Sequence, residues 1–245
     1  MQQHQHATTT AHKNIDRLVS TSEVETKQTI AIRLKNFLLR RPTKESIKLK
    51  GIYKEVVFGS SIQSICEREK SKIPRFIREC MLAVESRGLS VDGIYRVSGN
   101  MASIQKLRNM VDMNEYYDLS DSMWDIHTIT GALKLFFREL SEPLFTYALY
   151  DDFIKALHNL NQIKELIKKL PVTNGKTLKA LFRHLDIVLQ HSKDNRMQSQ
   201  GLAIVFGPTL LWSDRKVADA NMAFDIVQRG QLVEFIINNC RAIFG

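Results

Sequence analysis

Apolar residues recur at the spacing of an α-helix along most of the chain after residue 58. The pattern is clearest over residues 126–140, where five apolar residues stand at positions i, i+4, i+7, i+8 and i+11: Ile129, Leu133, Phe136, Phe137 and Leu140. Positions with this spacing share one face of a helix. The 245 residues include only 11 Gly and 5 Pro, which leaves little turn chemistry for a many-stranded sheet. We therefore predict an all-α fold, with a single irregular helical domain over residues 58–245.

Similar apolar stripes predict further helices on both sides of this one. Pro74 suits the first turn of a helix that Gly88 can end as a left-handed stop. Asn100 is placed to cap the next helix, and Thr146 is a candidate cap for a helix that continues through Leu157. The remaining predicted helices lie at 163–170, 178–189, 197–206 with its end at Gly207-Pro208, and 219–242.

The N-terminal part of the chain differs in composition from the helical domain. Residues 1–28 are polar, with a bias to Gln, His and Thr, and we predict a disordered extension there. Residues 29–57 are predicted to be a basic helical segment and connector. Within them, residues 33–54 hold eight basic residues and one acidic residue, which is +7 of the chain's net charge of +9. The basic charge therefore belongs to a segment and not to the fold.

The cysteines and the apolar runs bear on the cellular compartment. Cys66, Cys80 and Cys240 are isolated from one another in sequence, which is typical of buried single thiols in a reducing compartment. No secretory signal is recognisable, and no apolar run approaches the roughly 20 residues that a bilayer span requires. We expect a cytoplasmic protein, with peripheral attachment to membranes left open.

Motifs for independent catalysis are absent from the sequence. It contains no phosphate-binding P-loop, no Gly-x-Gly-x-x-Gly, no Gly-x-Ser-x-Gly and no His-Glu-x-x-His. His4, His6 and His12 are only weak candidates for metal ligands. His184 and His191 lie too far apart on one predicted helix for a simple ligand pair, and we predict that both are exposed or half-buried. The sequence therefore predicts no metal or cofactor of the chain's own.

Two local features stand out as candidate interaction sites. Gly93–Asn100 (GIYRVSGN) is predicted to be a loop between two helices, in which apolar neighbours on both sides anchor the chain and Arg96 is presented to solvent. On the 126–140 helix, Lys134 and Arg138 fall about 100° and 140° from Leu133, outside the apolar stripe. An acidic partner is one interpretation. An ordinary surface arginine and a solvated basic face are the alternatives.

Three segments taken in order strongly resemble the sequence blocks of Rho GTPase-activating domains. They are Gly93–Asn100, residues 130–144 (TGALKLFFRELSEPL) and residues 202–211 (LAIVFGPTLL). The resemblance spans about residues 58–245 and is nearest to members with an upstream pleckstrin-homology domain, for which this chain has too little length on that side. It implies an all-α fold. It also implies a GTPase activator that acts on Rho-family small GTPases in the GTP-bound state and has no independent catalytic activity.

The same resemblance implies roles for individual residues. Arg96 matches the arginine finger, which completes the active site of the GTPase, while GTP and Mg²⁺ belong to that partner. Lys134 and Arg138 match a basic pair in which the lysine contacts the GTPase and the arginine helps to hold the finger loop. Thr209 stands where many members have an asparagine that hydrogen-bonds at the GTPase interface.

Three positions depart from the common pattern of the family. Ser141 replaces a frequent proline, with little expected effect. Thr209 keeps a hydroxyl but lacks the reach of an amide, and Gly230 replaces a second frequent asparagine, so affinity or partner choice is open. A GTPase-binding module that does not activate its partner is therefore one alternative. Another is binding to an anionic surface through residues 33–54, where a membrane is favoured over nucleic acid because no nucleic-acid motif is present.

Overall fold

The structure of the chain is a computed structural model that describes residues 57–213 and 219–245. The predicted extension at 1–28, and the connector at 29–57 except its last residue, lie outside the described residues, as does the basic segment 33–54. The described residues form helices and turns without a strand, so the all-α prediction is confirmed. Among them, no helix has both the length and the apolar character that crossing a bilayer requires.

Eleven helices lie within the described residues: α1 Ile62–Arg68, α2 Arg75–Arg87, α3 Met101–Asp112, α4 Ile126–Arg138, α5 Tyr150–Lys155, α6 Leu160–Lys169, α7 Val172–Gln190, α8 Ser192–Asn195, α9 Ser199–Leu210, α10 Asp219–Asn238 and α11 Cys240–Phe244. Helices α2, α3 and α9 pack against α4. Helix α7 packs against α1, α2, α10 and α11.

Helix α4 lies in the core because of the apolar stripe predicted from its sequence. Four residues of that stripe are fully buried: Ile129, Leu133, Phe136 and Phe137. Burial of each such side chain contributes about 1.5–3 kcal/mol, against which the entropy cost of ordering must be set. Asp125 caps the helix by accepting a hydrogen bond from the Thr128 backbone N–H at 3.1 Å. The strongest periodic pattern in the sequence therefore forms the central helix.

The predicted helix ends are partly right. Pro74 directly precedes α2, and Asn100 caps α3 by accepting a hydrogen bond from the Ser103 backbone N–H at 3.1 Å, as predicted. The predicted left-handed stop at Gly88 is wrong, because the φ of Gly88 is −114°. A Cβ on Gly88 would lie 2.8 Å from Cγ1 of Ile126, so this glycine makes room for the start of α4.

Thr146 does not cap a helix, so that prediction is wrong as well. Helix α5 begins at Tyr150, and Thr146 lies before it with a φ of +62°. The backbone N–H of Thr146 donates to the carbonyl of Pro143 at 2.9 Å. Thr146 therefore belongs to a tight turn that follows Pro143, and its side chain is buried.

The predicted helix end at Gly207-Pro208 is also wrong, because α9 continues through Pro208 to Leu210. The proline removes one backbone donor, but the N–H of Leu211 still donates to the carbonyl of Gly207 at 3.1 Å. Helices α9 and α10 approach closely at this point. A Cβ on Gly207 would lie 2.8 Å from the backbone N of Gly230. Packing against α10 therefore outweighs the local tendency of the sequence to end the helix.

We expect opposite effects of alanine at the two glycines of this helix crossing. Gly207→Ala places a methyl group against backbone that cannot move freely, and should lower the free energy of unfolding by about 1–3 kcal/mol. The matched control is Gly230→Ala, whose Cβ would meet only the carbonyl oxygen of Ala203 at 3.9 Å. It should raise the free energy of unfolding by about 0.5–1 kcal/mol through helix propensity. Urea denaturation measures both, and equal effects of the two substitutions would contradict the close approach.

Candidate functional site

The loop that carries Arg96 begins with a tight turn at Gly93. The φ of Gly93 is +65°, and its carbonyl accepts hydrogen bonds from the backbone N–H groups of Arg96 at 2.8 Å and Val97 at 2.9 Å. The Gly93 N–H in turn donates to the carbonyl of Asn195 at 2.8 Å. The predicted need for glycine at this position is confirmed, and the start of the loop is fixed to α8.

Asn195 is a structural anchor that the sequence did not reveal. Its side chain is fully buried, and Nδ2 donates to the carbonyls of Leu89 at 2.8 Å and Val188 at 2.9 Å. Its Oδ1 accepts from the backbone N–H of Met197 at 2.9 Å. One amide therefore ties the segment before the loop to α7 and to the segment leading into α9.

The far end of the loop lies against the first turn of α4. A Cβ on Gly99 would stand 2.4 Å from the carbonyl oxygen of His127 and 2.6 Å from the backbone N of Thr128. No side chain fits there, so a glycine allows the loop to cross the start of α4. Since Asn100 caps α3 immediately afterwards, both ends of the loop are fixed.

Apolar anchoring occurs on only one side of Arg96. Ile94 and Tyr95 are fully buried, as predicted, but Val97 is 43% exposed, so the predicted anchor after the arginine is absent. Tyr95 has a φ of +69°, in the left-handed region that a bulky residue rarely adopts. Its ring packs edge-on against Phe206 of α9, with the centroids 5.1 Å apart. This backbone reversal turns Tyr95 inward and leaves the next side chain pointing to solvent.

The guanidinium of Arg96 is held only weakly within the chain. The side chain is 58% exposed, and its Nη2 lies 3.8 Å from Oδ1 of Asp92. The other oxygen of Asp92 lies 2.8 Å from Nη2 of Arg196. An exposed ion pair at the longer distance contributes little to stability, so Arg96 remains able to move towards a partner.

Lys134 differs from its predicted exposed position. The residue is only 9% exposed, and its Nζ donates to the backbone carbonyl of Tyr95 at 2.5 Å. Burial, with a smaller effect of the nearby Arg138 charge, lowers the pKa of Lys134 from 10.5 to about 8. The helical wheel places Lys134 outside the apolar stripe, but it could not show that the arginine loop, Gly93–Asn100, covers this side of α4.

Arg138 and Thr209 are brought together by α4 and α9. Nε of the exposed Arg138 donates to Oγ1 of Thr209 at 3.3 Å. Thr209 is fully buried, and its hydroxyl donates to the carbonyl of Val205 at 2.7 Å. Of the two basic residues, it is thus Lys134 that contacts the arginine loop, whereas Arg138 contacts α9. The surface contact expected of Thr209 is not available in this arrangement, where Thr209 instead supports Arg138.

The prediction for His184 is wrong, because this residue is buried with an exposed fraction of 1%. Its Nε2 lies 2.5 Å from the hydroxyl of Tyr95, and its Nδ1 lies 2.6 Å from Oε1 of Glu85. A signal for burial was available in the sequence. His184 comes three residues after Leu181 and four before Val188, which places it on the buried face of α7.

The sequence predictions for the three cysteines and for His191 are confirmed. Cys66, Cys80 and Cys240 are free thiols and are buried, and His191 is half-buried. Gly230 lies at the crossing of α9 and α10, where its backbone faces Gly207. Across 57–213 and 219–245, no group of three or more His, Cys, Asp or Glu side chains is arranged to hold a metal ion.

Known proteins match most of this chain in sequence. The family model for the RhoGAP domain matches residues 74–215. Human Rho GTPase-activating protein 27 is 48% identical over 219 residues, which are 86% of this chain and 24% of that protein. Mouse Rho GTPase-activating protein 15 is 45% identical over 232 residues, or 92% of this chain and 48% of that protein. The chain therefore spans about half or less of the length of these relatives.

A solved structure shows the same fold. The crystal structure of human Rho GTPase activating protein 15 covers 84% of this chain and 100% of that chain, with a TM-score of 0.78 and 46% sequence identity. Residues 74–215, which the family model matches, include the arginine loop, the basic pair of α4 and the Gly207-Pro208 segment of α9. From the family match, the sequence identity and the shared helical fold together, we conclude that this chain belongs to the RhoGAP domain family.

Proposed function

We propose that this chain accelerates GTP hydrolysis by a Rho-family small GTPase in its GTP-bound state, with Arg96 as an arginine finger supplied in trans. The observation that carries the proposal is the contrast within one loop. The backbone around Arg96 is fixed by Gly93, Tyr95 and Gly99, whereas the Arg96 side chain itself is 58% exposed and weakly paired. A rigid support for a free guanidinium is what insertion into another active site requires.

The chemistry favours arginine in this position. As the bond between the β- and γ-phosphates breaks, negative charge builds up on the phosphate oxygens, and a cation placed there lowers the barrier. The planar guanidinium stays charged at neutral pH and can donate to two oxygens at once. An arginine finger accelerates hydrolysis about 10³–10⁵-fold in well-studied GTPases, which corresponds to roughly 4–7 kcal/mol. GTP, Mg²⁺ and the attacking water belong to the partner, so the chain supplies no cofactor.

Lys134 supports the proposed role of Arg96 from within the chain. Its ammonium group donates to the carbonyl of Tyr95, which is part of the peptide unit that leads into Arg96. A charged donor makes a stronger hydrogen bond than a neutral one, particularly where water is excluded. We infer that Lys134 holds the direction of the arginine loop, and that the exposed Arg138 is the cation of the pair that faces the GTPase.

The alternative is a module that binds the GTPase without activating it. The observation that favours this alternative is the burial of Thr209, whose hydroxyl is engaged within the chain. An asparagine at this position would extend further, so docking is the weaker part of the proposed function. The exposure of Arg96 nevertheless favours activation, because a purely docking surface has no need for a guanidinium on a fixed loop.

Single-turnover GTP hydrolysis tests the proposal. Purified Rho, Rac and Cdc-type GTPases loaded with GTP are mixed with the wild-type chain, and the rate of phosphate release is compared with the intrinsic rate. We expect acceleration of at least one of them by about 10³-fold or more. Binding to the GTP-loaded partner without faster release would support the docking alternative, and no effect on any member of the panel would refute activation.

Location is proposed from the sequence together with the family. We propose that the chain works in the cytoplasm, where its GTPase partner is found at membrane surfaces. The basic segment 33–54 remains a candidate for contact with anionic lipid, because clustered Lys and Arg gain affinity near such a surface. This segment lies outside the described residues, so its charge alone supports the proposal.

A further inference from the structure

A chain of three buried or partly buried polar groups lies directly beneath the arginine loop. The hydroxyl of Tyr95 lies 2.5 Å from Nε2 of His184, and Nδ1 of His184 lies 2.6 Å from Oε1 of Glu85. Tyr95 belongs to the loop, His184 to α7 and Glu85 to α2, at sequence separations of 89 and 99 residues. The chain of contacts therefore connects the loop to two helices of the core.

The direction of each hydrogen bond follows from the chemistry of the groups. A carboxylate can only accept a hydrogen bond, so Nδ1 of His184 carries a proton and donates to Glu85. In the tautomer with its single proton on Nδ1, Nε2 has a free lone pair and accepts from the Tyr95 hydroxyl. Burial raises the pKa of Tyr95 well above its usual value, so the phenol keeps the proton that it donates. Glu85 thus selects the tautomer of His184 that can accept from Tyr95.

Tyr95 is held at both ends of the residue. Its carbonyl accepts from Lys134, and its hydroxyl contacts His184. Between these two points, the backbone adopts a φ of +69°, a strained conformation for a bulky residue. Such a conformation persists only when its surroundings over-determine it. The contacts of Tyr95 therefore maintain the backbone reversal from which the Arg96 side chain leaves the loop.

We propose that His184 is a positioning residue for Arg96. His184 acts through the hydroxyl of Tyr95 and depends on Glu85 for its tautomer. This inference rests on the proposed function, in which Arg96 must reach a GTPase. His184 does not touch the partner or the nucleotide. When its bond to Tyr95 is lost, the ring of Tyr95 still packs on Phe206, but the loop gains alternative backbone conformations that misdirect the guanidinium.

The test removes the Tyr95–His184 bond from each side. Tyr95→Phe deletes only the hydroxyl, and His184→Leu replaces the imidazole with an apolar group of similar size. We expect each variant to lower the maximal rate of stimulated GTP hydrolysis about tenfold. The concentration of the chain that gives half-maximal stimulation should stay unchanged within about twofold. The double variant should be no slower than the slower single variant, because both changes break the same bond. The conservative variant His184→Gln, whose side-chain oxygen can accept from Tyr95, should recover much of the rate.

A measurement on the isolated chain separates this inference from the proposed function. Amide hydrogen exchange of residues 94–98 should become several-fold faster in Tyr95→Phe and His184→Leu than in the wild type. The matched control is Ile163→Val in the buried face of α6, with the variants compared at equal distances below their melting temperatures. This control should leave both the loop exchange and the maximal rate unchanged.

The outcomes are distinct. Faster loop exchange together with a lower maximal rate supports the positioning role of His184. Unchanged exchange, an equal loss of rate in Ile163→Val, or a loss that appears only in the half-saturating concentration overturns it. If the wild-type chain accelerates no GTPase, the proposed function fails, and the exchange experiment still decides whether His184 orders the loop.

Discussion

Arg96→Ala should abolish nearly all acceleration of GTP hydrolysis by this chain. We expect a decrease of about 10³–10⁵-fold in the stimulated rate, because the developing charge on the phosphate oxygens loses its cation. The side chain is 58% exposed and its ion pair with Asp92 is long, so the free energy of unfolding should change by less than about 0.5 kcal/mol. Phosphate release under single-turnover conditions and urea denaturation measure the two quantities.

Two further substitutions sharpen the interpretation. Arg96→Lys keeps the positive charge but lacks the planar fork, so its rate should lie nearer to that of Arg96→Ala than to the wild type. The matched control is Arg196→Ala, which removes an exposed arginine that shares Asp92 with Arg96. It should retain the wild-type rate within about threefold, as expected for an exposed charge outside the arginine loop. Equal losses in the Arg96 and Arg196 variants would indicate a general electrostatic effect and not an arginine finger.

The second large effect is expected for Lys134→Met, which should separate activity from stability. Methionine fills a similar volume but cannot donate to the carbonyl of Tyr95, so we expect a tenfold to hundredfold lower stimulated rate, roughly the cost of misplacing a catalytic group. The free energy of unfolding should change by no more than about 1 kcal/mol. The substitution removes the cost of burying an ammonium group, which stabilises the fold, but it also removes the hydrogen bond of that group, which destabilises the fold. Lys168→Met, which changes an exposed lysine, is the control and should preserve both quantities.

The pH dependence of stability gives an independent check on Lys134. In the unfolded chain its pKa is near 10.5, whereas burial lowers the folded pKa to about 8. Between these values the unfolded chain binds more protons, so a rise in pH favours the folded state. The stability of the wild type relative to Lys134→Met should therefore rise between about pH 8 and pH 10.5 and stay constant below pH 8. A difference that is independent of pH over this range would show that Lys134 is not desolvated.

Sequence reasoning was most successful where the information is local. The stripe on α4 and the cap at Asn100 were predicted correctly, because apolar spacing and capping depend on residues within one or two turns. The arginine loop was found from its glycines and its position between helices. The predicted helix ends at Gly88 and at Pro208 are wrong, because the conformation at both places depends on a helix from elsewhere in the chain.

The sequence predicts candidate residues for the site but not the contacts that they make. Arg96, Lys134 and Arg138 are the residues predicted for the site, and the helical wheel indicates an exposed Lys134. The structure covers this residue with the loop that contains Tyr95. His184 is predicted to be exposed or half-buried, although its register favours the buried face of α7. The sequence could not indicate the neighbours of His184, because Tyr95 and Glu85 are 89 and 99 residues away.

The sequence by itself determined the helical class of this protein, its strongest helix and the loop in which Arg96 stands, because each follows from short-range spacing and backbone preference. Only the tertiary structure decided that Lys134 is buried, that Tyr95 is held by His184, and that Thr209 supports Arg138 from within the core. Burial and hydrogen bonding between distant segments depend on how the helices pack, and packing depends on shape complementarity over the whole core and not on any one stretch of sequence.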